Sequence, residues 1–267
     1  NCTANVDYVV RPQLQLSPSL DKALDCNLPT PNAAVKVEAI GGAGVGSYTY
    51  TITAGPVVNT TGATTGIFTG LDAGNYTFEV NDGACTATAT FTIDPIPTTI
   101  LAAPTVTDVS CNGGSDGTIT VNVTSGEGPY EYSLFDGVTA TAFTTNNTFT
   151  GLPAGTTYVV TVRNAKQCTL ASSPITIAEP SALSASSLLT TPLSCGAGNV
   201  AQTATVTVTG IDGTAPYEYS FDNGTSYSTT NTYQSNVGIT FDVLVKDAKG
   251  CVYTLSNGVN IPALVPP

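Results

Sequence analysis

The sequence predicts an all-β chain of tandem immunoglobulin-like β-sandwich repeats of about 83 residues, strung into an elongated array. Three features predict it: a fixed period, alternating apolar residues and regularly spaced turns. The period is set by Cys2, Cys85, Cys168 and Cys251, which are 83 residues apart at every step. Because a fixed period marks a recurring structural unit, we expect three units preceded by the end of a fourth.

The alternation is clearest in the second unit, in residues 151–168. Tyr158, Val160 and Val162 alternate with Val159 and Thr161, which is the pattern of a strand with one buried face. Related segments occupy residues 70–85 and 236–251. With turn signals every 8–12 residues, we expect roughly seven short strands per unit and no helices.

Prolines mark the ends of the units. The last strand of each unit starts at a periodic cysteine and stops at Pro12, Pro95, Pro180 or Pro262. Proline has no backbone N–H to donate to a neighbouring strand, so it ends the strand. The short proline-containing links predict a nearly fixed angle between neighbouring units. The predicted boundaries are 1–12 for the last strand of a preceding repeat, 13–97 for repeat 1, 98–180 for repeat 2 and 181–267 for repeat 3.

Each unit opens with an extended segment that ends at a second cysteine: 13–26, 98–111 and 181–195. Pro18, Pro104 and Pro192 interrupt these segments, which indicates edge strands that bend or switch sheets. The predicted core consists of the inward residues of the repeated strands. They are Ile119, Val121, Val123, Tyr132, Leu134, Leu152, Tyr158, Val160 and Val162 in repeat 2, Tyr76, Phe78 and Val80 in repeat 1, and Phe241, Val243 and Val245 in repeat 3.

Composition excludes several classes of function. The 267 residues carry a net charge of −12 with only seven basic residues, so nucleic-acid binding is not expected. The sequence has no histidine, the commonest general base and metal ligand. No apolar run is long enough to span a bilayer, and the chain opens in mid-repeat without a signal peptide, so we expect a mature or excised piece of a longer secreted protein. Seven cysteines without a CxxC pair indicate disulfides in an oxidising compartment.

The repeated motifs resemble the SprB repeat family. The pattern is Cys-x-Gly-x-x-Asp-Gly, then Pro-Tyr-x-Tyr-Ser, Gly-Leu-x-Ala-Gly and Asp-Ala-x-Gly-Cys, and repeat 1 departs from it most because its Cys26 loop lacks Asp-Gly and Ser47 replaces the proline. Repeat 2 carries it at Cys111, Gly113, Asp116, Gly117, Pro129, Tyr130, Tyr132, Ser133, Gly151, Leu152, Gly155 and Cys168, and repeat 3 at Pro216, Tyr217, Tyr219, Ser220, Asp247, Ala248, Gly250 and Cys251.

The resemblance implies a module of a very long surface adhesin of gliding Bacteroidetes. Such adhesins are exported by the type IX system. The resemblance therefore implies an extracellular protein that is anchored in the outer membrane through other parts of its chain. The expected partners are neighbouring repeats, with surface polysaccharide or other cells reached through the full-length protein. No membrane insertion of this segment is expected. The resemblance supplies no ligand.

No catalytic, cofactor or metal site is predicted. The aspartates mostly stand beside glycine or alanine, where they cap turn amides, and they lack the convergent spacing that calcium requires. The tyrosine pairs Tyr48/Tyr50, Tyr130/Tyr132 and Tyr217/Tyr219 could form a sugar-stacking platform, but their recurrence in every unit favours a packing role.

Two functions remain open: a stalk that holds an adhesive tip away from the cell, and repeats that themselves bind glycan or a surface protein. A binding role requires one unit to present an exposed cluster that the others lack. The nearest candidates are Tyr227 and Tyr233. An enzyme is not expected.

The cysteines can pair within units or between them. Pairing within units would join Cys26 to Cys85, Cys111 to Cys168 and Cys195 to Cys251. In an end-to-end array, however, the first and last strands place these partners at opposite poles, about 30 Å apart, whereas a disulfide needs Cα atoms within about 7 Å. We therefore favour the inter-repeat bonds Cys26–Cys168 and Cys111–Cys251, which would lock each junction against bending and pulling. Cys2, Cys85 and Cys195 would then pair with cysteines outside this fragment.

Overall fold

The computed structural model describes residues 10–42 and 47–264. Within these ranges the regular elements are β-strands, apart from one 3₁₀ turn at Ala197–Asn199. The all-β fold is therefore confirmed. Residues 1–9, which include Cys2 and most of the expected strand of a preceding repeat, lie outside the described residues, and residues 10–14 form no strand.

The first unit is a sandwich of two three-stranded antiparallel sheets. One sheet has the order β1-β2-β4 and the other the order β3-β5-β6. The strands are β1 (Gln15–Lys22), β2 (Ala33–Ile40), β3 (Thr49–Ala54), β4 (Ile67–Leu71), β5 (Gly74–Asn81) and β6 (Thr86–Ile93).

The second unit repeats this plan with shorter strands. Its sheets are β12-β9-β8 and β11-β13-β14, with β15 also paired to β13 and β7 paired to β10. The strands are β7 (Ile100–Leu101), β8 (Thr105–Thr107), β9 (Gly117–Thr120), β10 (Val123–Ser125), β11 (Glu131–Phe135), β12 (Thr148–Leu152), β13 (Thr157–Arg163), β14 (Thr169–Ala171) and β15 (Ile175–Thr176).

The third unit pairs its strands in the orders β16-β19-β21, β20-β22-β23 and β17-β18. Its strands are β16 (Ser184–Thr191), β17 (Ser194–Cys195), β18 (Ala201–Gln202), β19 (Ala204–Ile211), β20 (Glu218–Ser220), β21 (Thr232–Ser235), β22 (Ile239–Lys246) and β23 (Val252–Ile261). The expected edge position of the opening segments holds for β1 and β16.

Three separate hydrophobic clusters fill the three sandwiches, and each draws its residues from one predicted unit. The predicted register is confirmed on the central strands, since Val160 and Val162 are buried while Val159 and Thr161 are only partly so. The other predicted core residues are buried too, except Val123 and Phe241, which are half-buried and pack against their clusters.

A tyrosine fixes the corner before the central strand in two units. The Tyr158 hydroxyl donates to the Pro153 carbonyl at 2.9 Å, and the Tyr76 hydroxyl donates to the Asp72 carbonyl at 3.0 Å. This backbone contact is a hallmark of immunoglobulin-like sandwiches. The third unit has Phe241 here, which has no hydroxyl to donate, and its ring is only half-buried.

Two stretches whose sequence predicts a continuous strand, residues 98–111 and 118–124, are broken in the second unit. Pro104 separates β7 from β8, because proline cannot donate to a ladder. Residues 121–122 separate β9 from β10, although Val121 stays buried. Both pieces of the first segment pair with the pieces of the second, so Pro104 interrupts an edge strand without moving it to the other sheet.

Candidate functional site at the unit junctions

The first junction joins the first and second units through a disulfide. Cys26 is bonded to Cys168, with Cα atoms 4.9 Å apart. The Cys26 amide also donates to the Lys166 carbonyl at 2.8 Å, so the two cysteine loops are in backbone contact. The flanking ion pair Lys166–Glu127 belongs to the second unit.

The second junction repeats the arrangement one unit further along. Cys111 is bonded to Cys251, with Cα atoms 5.7 Å apart. The Cys251 sulfur lies 3.5 Å from the Ser110 carbonyl oxygen. These two pairs are the inter-repeat pairs that the sequence analysis favours. Cys85 and Cys195 are exposed free thiols, and Cys2 lies outside the described residues.

A buried Asx side chain shapes the turn that presents each periodic cysteine. Asp247 Oδ1 accepts the amides of Lys249 and Cys251, both at 2.9 Å. The same contacts recur in the second unit, where Asn164 Oδ1 accepts the amides of Lys166 and Cys168 at 3.0 and 2.9 Å. In the first unit Asp82 Oδ1 accepts the amides of Ala84 and Cys85. All three Asx residues are buried. The sequence analysis assigned the aspartates only general turn chemistry and did not single out Asn164; the position of all three residues, three or four residues before a periodic cysteine, is the signal that could have identified them.

Replacing Asp247 by alanine is expected to lower the free energy of unfolding of the third unit by about 1–3 kcal/mol. The change leaves the amides of Lys249, Cys251 and Thr214 without their acceptor, since Thr214 donates to Oδ2 at 2.9 Å. Asp247→Asn is the matched control, because Asn164 fills this position in the second unit. It should cost less, losing only the Thr214 bond. Denaturant unfolding checks this order, which equal losses in the two variants would contradict.

At the second junction, Cys111 lies in a loop that is hydrogen-bonded to the peptide link. In the second unit the Gly113 amide donates to Glu179 at 2.7 Å, and the Asn112 side-chain amide donates to the Pro180 carbonyl at 3.1 Å. Asp116 accepts the Ser110 amide at 2.9 Å just before Cys111. Hydrogen bonds from Ser110 lower the pKa of Asp116 below its ordinary value. The disulfide and the peptide link therefore lie side by side at this pole.

The first unit builds its Cys26 loop without the Asp-Gly pair. Asp25 accepts the Asn27 amide at 2.9 Å and the Asn32 side-chain amide at 2.6 Å. Next to this loop an apolar groove crosses the first junction. It is lined by Leu20, Leu24, Ile93, Pro95 and Ile96 together with Glu127 and Lys166 of the second unit.

The aspartates of the described turns act mainly as hydrogen-bond acceptors for the local backbone. Asp136 accepts the amides of Val138 and Thr139, and Asp222 accepts the amide and hydroxyl of Ser226. Across residues 10–42 and 47–264, no group of three or more Asp, Glu, Cys or His side chains is placed to hold a metal ion.

Acid is expected to destabilise the third unit through Asp222. Hydrogen bonds from the Ser226 and Ser220 hydroxyls and the Ser226 amide lower the pKa of Asp222 from 3.8 to about 2. Because the folded state favours the charged form, this contribution to stability is present above about pH 4 and is lost as the pH falls through about 2. Thermal midpoints measured from about pH 5 to 2 should fall more steeply for the native chain than for Asp222→Asn. Parallel curves would contradict this role of Asp222.

The tyrosine pairs pack against the units as the sequence analysis favours. Tyr132 and Tyr219 are buried, and Tyr130 and Tyr217 are partly buried against the same clusters. Of the two candidates for a binding cluster, Tyr233 packs edge-on against Phe241 at 5.0 Å between ring centroids. Tyr227 lies beneath Lys246, whose ammonium is 4.3 Å from the ring centroid. Both rings are therefore already engaged within the third unit.

Comparison with known families decides the resemblance for the second unit. Residues 103–139 match the SprB repeat. The resemblance suspected from the motifs is thus confirmed over the stretch that contains Cys111, Asp116, Pro129 and Tyr132. The match ends before the Gly-Leu-x-Ala-Gly segment and Cys168.

Two solved structures of multi-domain fragments are among those similar to this chain. The three N-terminal domains of the highly immunogenic outer capsid protein of bacteriophage RB49 are 13% identical, with 91% of this chain and 86% of that chain covered and a TM-score of 0.41. The I-band fragment I67–I69 of titin is 12% identical, covering 92% of this chain and 99% of that chain at a TM-score of 0.32. No curated protein matches the chain. No helix among the described residues is long and apolar enough to cross a membrane.

Proposed function

We propose that this chain is a stiff stalk segment of a secreted cell-surface adhesin. The supporting observation is that both junctions are crossed twice, once by a short peptide link and once by a disulfide. Two connections side by side restrict rotation and bending in a way that one link cannot. The proposed units keep the boundaries 13–97, 98–180 and 181–267.

The resemblance of the second unit to the SprB repeat supports a cellular location and an export route for this stalk. On that resemblance we place the stalk outside the cell, exported by the type IX system and anchored in the outer membrane through other parts of the protein. There it would space an adhesive tip from the cell during surface adhesion and gliding. The inter-repeat disulfides require an oxidising compartment, which agrees with this location.

Solution scattering tests the stalk. Each sandwich is about 30–40 Å long, so three units in line should give a maximum dimension of about 100–130 Å. The same measurement on the chain with all cysteines replaced by serine should show a broader distribution of distances, because the junctions can then bend. A compact particle in which all units touch would overturn the proposal.

Two companion assays complete the test. Peptide mapping of the non-reduced protein should yield peptides that link Cys26 to Cys168 and Cys111 to Cys251; a peptide linking Cys111 to Cys168 would contradict the inter-repeat pairing. A glycan array probed with the three units should show no saturable binding. Reproducible saturation would favour repeats that bind glycan themselves.

A further inference from the structure

The first and last segments of a unit lie side by side and run in the same direction. In the second unit the start of the first segment meets the turn before Cys168, where the Asn164 side chain lies 3.5 Å from the Thr99 hydroxyl. At the other pole the end of the first segment meets the end of the last one, where the Val109 amide donates to the Ala178 carbonyl. The corresponding strands are also neighbours in the other units, where β1 contacts β6 and β16 contacts β23.

This arrangement gives a particular covalent connectivity at each junction. The peptide link joins the last segment of one unit to the first segment of the next. The disulfide joins the same two units the other way round, connecting the first segment of one unit to the last segment of the next. Every first and last segment therefore continues covalently across the junction without entering the middle of any unit.

We propose that tension along the array is carried by two parallel covalent paths that bypass the middle of every unit, with Cys85 and Cys195, which are free in this chain, bonded to cysteines of the flanking repeats. The inference rests on the proposed stalk function and specifies its mechanics. The first path runs through residues 13–26, the Cys26–Cys168 bond and residues 168–195; the second runs through residues 85–111, the Cys111–Cys251 bond and residues 251–262. The bypassed segments are 27–84, 112–167 and 196–250, which hold most of the central strands.

Bypassing makes the array nearly inextensible. The strands of each path segment are already extended, at about 3.3 Å per residue, and no segment can exceed about 3.6 Å per residue. In an array held by peptide links alone, an unfolding unit of about 83 residues would release up to about 290 Å of chain. With both paths closed, a unit whose middle unfolds cannot lengthen the stalk, because its segment is not under tension.

Single-molecule pulling tests the proposal on the whole chain. Handles are attached through non-cysteine chemistry at Val10 and Leu188, both exposed, so that the native cysteines stay intact. The Cys26–Cys168 bond spans 142 residues of sequence. It leaves roughly 36 residues between the handles, or about 130 Å at full extension, whereas Cys26→Ser/Cys168→Ser should extend to about 600 Å with unfolding steps.

The decisive comparison adds a core variant in a bypassed segment. Val160→Ala removes buried volume from the second unit and should lower its thermal midpoint. With the disulfide intact it should leave the force–extension curve unchanged, while in the Cys26→Ser/Cys168→Ser background it should lower the unfolding force. Ile119→Val is a milder variant at a second fully buried position of the same segment.

Two results would overturn the two-path proposal. One is a native chain that extends beyond about 130 Å between these handles while mapping shows the Cys26–Cys168 bond. The other is a Val160→Ala curve that differs from the native one with the bond intact. Neither result depends on the shape of the array in the absence of force. Solution scattering therefore tests the stalk function independently of the two-path proposal.

Discussion

Replacing Cys26 and Cys168 together by serine is expected to lower the free energy of unfolding by about 5 kcal/mol, shared between the first two units. The bond closes a loop of 142 residues, and chain-entropy theory gives a cross-link of this length a larger effect than any other single change considered for this chain. Hydrogen exchange resolved by unit is the appropriate measurement, because three linked units need not unfold in one step.

A control with Cys85 and Cys195 replaced by serine separates this effect from the removal of thiols as such. Both residues are exposed and unbonded among the described residues, so the change should stay within about 0.5 kcal/mol. Equal protection in the native chain and in Cys26→Ser/Cys168→Ser would show that the bond does not stabilise the folded units. Loss of protection confined to the third unit would also contradict the prediction, because the Cys26–Cys168 bond joins the first and second units.

The register of the central strands could be predicted from sequence because alternation leaves little freedom. Tyr158, Val160 and Val162 must share a face, and a shift by one residue would expose all three. The burial of Tyr76, Phe78 and Val80 follows from the same pattern. Periodic cysteines and prolines add a second constraint, which sets the number of units before any contact is known.

Interruptions of strands were harder to predict. The alternating run 118–124 predicts one strand, yet the structure divides it into β9 and β10 around residues 121–122. Val121 is buried although it lies in the interruption. The alternating pattern therefore predicts correctly which residues are buried, but not which residues pair with a neighbouring strand. Hydrogen bonding depends on the partner strand, here broken at Pro104, and a single run of sequence does not contain that information.

Of the candidate site, the sequence indicates only which cysteines are expected to form disulfides. Pole geometry favours which cysteines can meet, but it does not identify the groups that hold them there. Asn164 and Asp247 recur four residues before a periodic cysteine, but only the structure shows that their side chains are buried and accept the cysteine amides. The Asp25–Asn32 contact that replaces the missing Asp-Gly pair likewise depends on residues seven positions apart meeting in a loop.

Aromatic packing is expected to make the first unit most sensitive to Phe78. This ring is fully buried and lies 5.4 Å from the Phe68 centroid and 6.0 Å from the Tyr76 centroid. Phe78→Ala removes both contacts and leaves a cavity, which typically costs about 3–5 kcal/mol. A unit of this size has little stability in reserve, so the variant should leave the first sandwich largely unfolded near room temperature.

The other two cores should be unaffected by Phe78→Ala, because the three clusters are separate and are joined only at the junctions. Hydrogen exchange should therefore show lost protection in β1 to β6 with protection kept in β13 and β22. Thr88→Ala is the matched control on the exposed face of the neighbouring strand β6, and it should change stability by less than about 0.5 kcal/mol. Equal loss of protection in all three units would contradict this prediction. It would mean that the three sandwiches unfold cooperatively, as one body.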